Sequence, residues 1–295
     1  MRVLVTGAGG LLAAAIIREF EAAGATVVPL DRAELDLTHP DRVRRSLGDT
    51  RPDLVVNCAA YNDVDGAEGD AAGALRLNAF AVRTLARVTR ELGAGLVHYG
   101  SDFVFDGEQT RPYTEDDSPN PRSAYGASKL VGEWFALEHP NAYVLRVESL
   151  FGEPGLVGSR AGSLKGILTR IRNGDVTPVF VDRTVTLGYT TDIARATLEL
   201  VTRRLGPGLY HCVNSGATSW ADVAAEAARL LGLPLHAKPV TLDSVQLRAK
   251  RPKYSALSNA RLAEAGIVMP TWQDALTRHL ATEGDAVSEG QTGPR

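Results

Sequence analysis

VTGAGGLLA, residues 5–13, is the stretch on which the fold turns. It completes a short apolar run, RVLVT (2–6), and opens an alanine-rich segment, LLAAAIIREFEAAG (11–24). Gly7 and Gly10 stand three apart, with Ala13 three further on. Gly7 suits a tight turn, Gly10 lets a pyrophosphate approach the backbone, and Ala13 allows close helix–strand packing. Leu11 and Leu12 fall at the helix start, where unpaired N–H groups and the helix dipole favour phosphate. A glycine string alone is a weak signal. Placed between a strand and a helix, it has the context that a dinucleotide site requires.

Outward from that turn the chain alternates strand and helix patterns. TVVPL (26–30), DLVVNCAA (53–60), GLVHYGS (95–101) and AYVLRVE (142–148) read as strands. DRVRRSLG (41–48) and the long AAGALRLNAFAVRTLARVTRELG (71–93) read as helices, the latter ended by Gly93. Apolar strands alternating with helices imply a parallel sheet covered on both faces. The expected fold is therefore α/β, a doubly wound parallel sheet of Rossmann type with a smaller α/β substrate-binding lobe. Residues 1–150 form the dinucleotide-binding domain, with 177–213 returning to it. Residues 151–176 and 214–281 form the lobe, and 282–295, polar and glycine-rich, form a disordered tail. Within the second half, 163–174, 189–204 and 219–232 read as helices, the last capped by Ser219 and Gly232. TPVFVD (177–182) and GLYHCV (208–213) read as strands.

Composition narrows the function classes. The net charge of −3 offers no basic field for nucleic acid. Two cysteines far apart and six scattered histidines give no disulfide framework and no metal-ligand spacing. No apolar run suits a membrane span and no signal-peptide pattern opens the chain, so the expected setting is cytoplasmic.

The second chemical signal is SAYGASKLVGEW (123–134), which sets Tyr125 and Lys129 four apart and so on one helix face. In isolation such a pair is more often surface decoration than machinery. Beside a dinucleotide site it acquires a purpose. A carbonyl reductase must supply a proton to oxygen, and a phenol can do so when a nearby cation favours its ionised form. Ser101 ends the strand GLVHYGS, at the sheet edge where ligands of such folds bind, and can bond the carbonyl oxygen. At the end of the second strand, Asp31 falls roughly 20 residues past the glycines, where it could bond the ribose hydroxyls of NAD. Arg32, next to it, could hold the 2′-phosphate of NADP, so both NADPH and NADH stay open. Trp134, Trp220 and Trp272 read as packing, Cys58 as an inert apolar group, and His98 and His211 as core polar groups. Asn78, on the long helix, reads as a partner of backbone near the active site or as the cap of a local gap, outside the catalytic set.

With these stretches in view, the chain resembles an extended short-chain dehydrogenase/reductase, and within that superfamily the dTDP-4-dehydrorhamnose reductases. The resemblance rests on VTGAGG (5–10), LDRAELDLT (30–38), VVNCAAYNDVDGAE (55–68), YGSDFVFDG (99–107), SAYGASKLVGE (123–133), GLYHCVNSGATSWADVA (208–224) and RPKYSALSN (251–259). It implies an NAD(P)H-dependent reduction of the C4 carbonyl of a nucleotide-linked 4-keto-6-deoxyhexose, the nucleotide being dTDP. It makes Ser101, Tyr125 and Lys129 the catalytic set, with the last two also contacting the cofactor. Asp36 and Leu37 fall where that family approaches adenine, and Ala59 and Ala60 match its cofactor-side strand end. Val64, Phe103 and Val104 fall near its sugar pocket. The chain departs from the family pattern at Ser101, where Thr is usual, and at Phe103, where Tyr is usual. It departs again at SLFG (149–152), where Ser149 replaces an aromatic residue beside the sugar, and through EPGLVGSRAGS (153–163). The sugar pocket should therefore differ from the usual one. Arg251, in the basic run RAKRPKYS (248–255), is the residue chosen to meet the diphosphate, against a solvated loop as the plainer reading. A homodimer is the assembly to test, and no metal is expected. A nucleotide-sugar epimerase and a cofactor-binding regulatory subunit are the alternatives. A 4,6-dehydratase is disfavoured because Phe103 stands where its second catalytic carboxylate would be.

Overall fold

The computed structural model describes residues 1–153 and 162–289. Six strands form one sheet: β1 (Arg2–Thr6), β2 (Thr26–Leu30), β3 (Leu54–Asn57), β4 (Gly95–Ser101), β5 (Ala142–Val147) and β6 (Gly208–His211). Their order across the sheet is β2-β1-β3-β4-β5-β6, and every neighbouring pair is parallel. Side chains alternate between two apolar layers, as a period of two demands. Val3, Val5, Val56, Val97 and Leu145 face the helices Leu11–Ala22 and Thr190–Thr202. Leu4, Val55, Leu96 and Val144 face the other layer, with Val43, Leu47, Leu85 and Ala136 from the helices Pro40–Thr50, Ala81–Leu92 and Ala124–Leu137. Both faces are covered, which is why these strands read as continuous apolar runs.

The direction of strand progression reverses between β1 and β3. Their carboxyl ends diverge there and leave a crevice at the switch point, where doubly wound sheets bind ligands. A second apolar cluster holds the lobe together. It combines the helices Ser163–Asn173, Trp220–Leu231 and Trp272–Glu289 with the parallel pair of strands Thr177–Phe180 and Ala237–Val240. The helix Trp220–Leu231 starts with a reciprocal capping box between Ser219 and Asp222, and ends at Gly232.

The structure departs from the sequence expectation in four places. The stretch 177–213 divides: 177–180 pairs inside the lobe, whereas 190–202 packs on Leu11–Ala22 and 208–211 joins the sheet edge. A short apolar strand carries no mark of its partner, so the sequence could not assign it. The long helix 71–93 is three pieces, Ala71–Leu75, a π-helical turn Arg76–Phe80, and Ala81–Leu92. The terminal helix continues to Glu289, so 282–289 is helical rather than a tail; the start of this helix is anchored by buried Trp272, Ala275 and Leu276. The rest of that tail, 290–295, lies outside the described residues, as do residues 154–161, which hold most of EPGLVGSRAGS. Trp134 is 59% exposed, whereas Trp220 and Trp272 are buried in the lobe as packing. Among the described residues no helix is long and apolar enough to cross a membrane.

Candidate active site

The crevice is a cleft of about 470 Å³. One wall comes from the first strand-to-helix turn (Gly10, Leu11, Leu12) and from the end of β3 (Ala59, Ala60). The opposite wall comes from the end of β4 (Ser101, Asp102, Phe103) and from Tyr125 and Lys129. Val64, Glu148 and Ser149 also line the cleft.

The glycine turn does what its residue types predict. Gly7 has φ +69°, and a Cβ there would stand 2.8 Å from the Ala59 backbone. Two strand ends are thus held together by a residue that has no side chain. Gly10 is the N-cap of Leu11–Ala22 and makes no side-chain cap bond, and the first turn of that helix holds no acidic residue. Its first N–H groups have no helical acceptor, so they are available to an anionic group. This cradle fits a dinucleotide pyrophosphate. Gly7→Ala should destabilise the fold by roughly 1–3 kcal/mol through left-handed strain and the Ala59 clash. It should also weaken nucleotide binding; urea unfolding and cofactor fluorescence check the two effects separately.

The adenosine end is less enclosed. Asp31 and Arg32 are exposed beyond β2. The Asp31 carboxylate accepts from the N–H groups of Ala33 (2.7 Å) and Glu34 (3.0 Å), which fixes the turn. Asp36 accepts from both the N–H and the hydroxyl of Thr38, which hold its carboxyl below the usual range. The Leu37 side chain is buried with Val43 and Leu47, so it supports this edge from within the core.

The wall that bears Tyr125 and Lys129 is built on Ala124–Leu137. Ser123 caps this helix by accepting from the Gly126 N–H. Gly126 lies under the Phe103 carbonyl, which a Cβ would meet at 2.2 Å. The helix can therefore press against the end of β4. That contact brings the Phe103 and Tyr125 rings to 5.4 Å, edge to face, and fixes the direction of the phenol. Ser101 donates to Asp102 Oδ1 (3.0 Å) and accepts from the Phe103 N–H (3.2 Å). Lys129 is buried and donates to the Tyr99 carbonyl at 2.5 Å. Burial pushes Lys129 down to about 8, opposed by the charge of Glu133. Burial also pushes the Tyr125 phenol well above its ordinary value, against the downward pull of Ser101. The lowering of the phenol by Lys129 that the spacing predicts does not arise: burial dominates, opposed by Ser101, and the phenol keeps its proton at neutral pH.

Two residues outside the expected set organise this wall. Glu133 stands four after Lys129, on the same helix face, and forms a buried ion pair with Arg146 on β5 at 2.8 Å. The i, i+4, i+8 spacing of Tyr125, Lys129 and Glu133 was the available signal. Asn78 sits in the π-helical turn. It accepts from the Tyr61 N–H (2.7 Å) and donates to the Tyr61 carbonyl (3.1 Å) and to Ser128 (2.9 Å). It therefore ties the helix Ala124–Leu137 to the chain that leaves β3, a bond between segments that no local pattern announces.

Several expected residues lie elsewhere. Val104 is fully buried with Phe105, Tyr113 and Leu257, facing away from the cleft into an apolar cluster. Arg251 does not border the cleft: it pairs with Asp65 at 2.8 Å and lies over the Phe103 ring at 5.6 Å. Ser149 does border it, in a left-handed conformation with φ +45°. Cys58 lines the floor as a thiol that burial holds neutral. His98 and His211 are buried, and burial pulls both below the usual histidine value, as suits structural neutral rings. No group of three or more His, Cys, Asp or Glu side chains able to hold a metal occurs among the described residues.

Comparison with known proteins agrees with this geometry. The family model of the RmlD substrate binding domain matches residues 1–284. A probable dTDP-4,6-dihydroxy-2-methyloxan-3-one 4-ketoreductase of Streptomyces antibioticus is 37% identical, covering 94% of this chain and 93% of its own. A dTDP-4-dehydrorhamnose reductase of Streptomyces griseus is 35% identical over 100% of this chain and 98% of its own. The crystal structure of dTDP-4-dehydrorhamnose reductase from Bacillus anthracis in complex with NADP superimposes with a TM-score of 0.90 at 30% identity, over 95% of this chain and 99% of that one.

Proposed function

Because the chain belongs to the RmlD substrate binding domain family, we propose that it reduces the C4 carbonyl of a dTDP-linked 4-keto-6-deoxyhexose with NADPH or NADH. The observation that carries this reading is one cleft with the glycine turn on one wall and Ser101, Tyr125 and Lys129 on the other. Gly7, Gly10, Leu11 and Leu12 would hold the pyrophosphate, with Ala59 and Ala60 beside it. Asp31, Arg32 and Asp36 would meet the adenosine. The bound reduced nicotinamide supplies hydride to C4. Tyr125 gives its proton to the developing alkoxide, Ser101 holds that oxygen, and Lys129 grips the ribose. Val64, Phe103 and Ser149 shape the sugar pocket. Ser149 in place of an aromatic opens that pocket and leaves room for a 4-keto-6-deoxyhexose other than the rhamnose precursor. Arg251 reaches the diphosphate only by leaving Asp65.

The deciding experiment is oxidation of NADPH and of NADH in the presence of enzymatically made dTDP-4-keto-6-deoxyhexose. Net transfer of cofactor-derived label to C4 supports reduction, and retention of the sugar's own hydrogen points instead to an epimerase. Tight cofactor binding with no turnover on a broad panel of sugar nucleotides would favour a regulatory subunit.

Lys129 also sets an expected pH dependence. It is charged below about 8 and neutral above, so its grip on the ribose is lost as pH rises. The basic limb of kcat/KM, which reports the free enzyme, should therefore fall near pH 8. A limb in the ordinary lysine range would count against this role.

A homodimer belongs to the same reading. Phe80, Trp134 and Leu137 are exposed large apolar side chains on packed helices, with Phe80 and Phe135 rings 6.3 Å apart. Trp134→Glu should convert a sedimenting dimer to monomer. A cytoplasmic setting is also part of it, since Cys58 and Cys212 are both free thiols.

A further inference from the structure

Behind Ser101 lies a cluster of buried ionisable groups that the proposed reduction does not use. Asp102 follows Ser101 at the end of β4, and Glu148 follows Val147 at the end of β5. Ser101 and Val147 are register partners, so the two carboxyl groups stand at adjacent strand ends. Both are almost fully buried and both border the cleft.

A run of polar side chains links them to the phenol. Ser101 lowers the Tyr125 phenol against its burial, and Ser101 Oγ donates to Asp102 at 3.0 Å. Ser255 donates to Glu148 Oε1 and also lowers Asp102. Glu148 Oε2 accepts from the N–H and the hydroxyl of Thr186.

The charges around the pair do not balance. Arg183 is a cation whose charge acts on both carboxyl groups, and its Nε has no hydrogen-bond partner among the described residues. Asp182 and Arg251 act on Arg183 from outside. Tyr254 faces Glu148, while Tyr125, itself under the charge of Glu133, faces Asp102. One cation against two carboxylates leaves a negative charge in a dry site, and retaining a proton removes it. Burial accordingly raises both groups, Glu148 the more.

We propose that Asp102 and Glu148 share one proton and return it through Ser101 to Tyr125 after each reduction. This rests on the reductase reading above. Once Tyr125 has protonated the sugar alkoxide, the Ser101 hydroxyl proton moves to the phenolate. The shared proton, passed from Glu148 through Ser255 to Asp102, then moves from Asp102 to Ser101. The pair ends one proton poorer and regains it from water that enters as product leaves. No electrons move in the relay.

The test uses the full chain and compares the first turnover with steady state. The variant is Glu148→Gln, since Asp102 itself holds Ser101. Tyr125 begins protonated, so the relay predicts a normal first turnover followed by a steady rate roughly 10- to 100-fold lower. Small added carboxylic acids should partly restore the steady rate, which a merely structural role would not allow. Equal loss in both phases without rescue, or no loss in either phase, overturns the relay. A second measurement does not depend on turnover. Infrared difference spectroscopy should show a protonated carboxyl group in the wild-type protein at neutral pH, lost in Glu148→Gln. Absence of that band in the wild type overturns the relay whatever the substrate. Presence of the band without turnover of any keto-sugar supports the shared proton and sinks the reductase reading instead.

Discussion

Tyr125→Phe should lower turnover by about 10²- to 10⁴-fold while NADPH binds as before. The range is what a positioned proton donor contributes to a transition state. Phenylalanine keeps the ring, so the edge-to-face contact with Phe103 and the fit against Ala67 and Ala74 survive. Only the hydroxyl is lost, and with it the proton. In the wild-type cleft burial keeps that proton on the phenol at neutral pH. An alkoxide formed at C4 is a far stronger base than a phenolate, so transfer is downhill once hydride has arrived. Titration of the cofactor by fluorescence and measurement of turnover on one preparation separate binding from chemistry. A variant that binds cofactor and turns over at the wild-type rate would remove Tyr125 from the mechanism.

Arg146→Met should destabilise the protein by about 3–5 kcal/mol, the cost of leaving a buried charge without its partner. Arg146 and Glu133 are both nearly inaccessible and are joined by bonds of 2.8 to 3.2 Å. The guanidinium also lies over the Phe105 ring at 5.0 Å. Burial already favours the neutral form of Glu133, and Arg146 is the main opposing influence. The double change Arg146→Met with Glu133→Leu should recover most of the stability, because apolar replacement of a buried pair is often neutral. It should not recover the enzyme's pH profile. Glu133 is also what raises Lys129 against its burial. Without that carboxylate Lys129 loses its proton at lower pH, so the basic limb of kcat/KM should move down from about 8. Urea unfolding measures the first effect and the pH profile the second. A double variant as unstable as Arg146→Met alone would show that the loss comes from packing rather than from charge.

These expectations also mark how far the chain could be read from its residues. The sheet was legible because parallel strands buried on both faces are plain apolar runs, and the helix before β4 ends at Gly93 in a left-handed cap, as the lobe helices do at Gly174 and Gly232. The glycine turn was legible because only a residue without Cβ fits beside Ala59 at φ +69°. Tyr125 and Lys129 were legible because helical spacing is a local property. Residues whose role depends on distant neighbours were not. Val104 and Phe103 are adjacent, yet one faces an apolar cluster and the other the cleft. Arg251 belongs to a basic run, but its charge is answered by Asp65, 186 residues away in sequence. Trp134 looks like a core residue by type and stands exposed on its helix.

Local chemistry thus specified the elements, the nucleotide turn and the tyrosine–lysine pair, since each depends on spacings of a few residues. Packing set the ionisation of that pair and the neighbours it works with. Burial, Glu133 and the carboxyl groups at adjacent strand ends act across the sheet, and only the folded chain brings them within reach of one another.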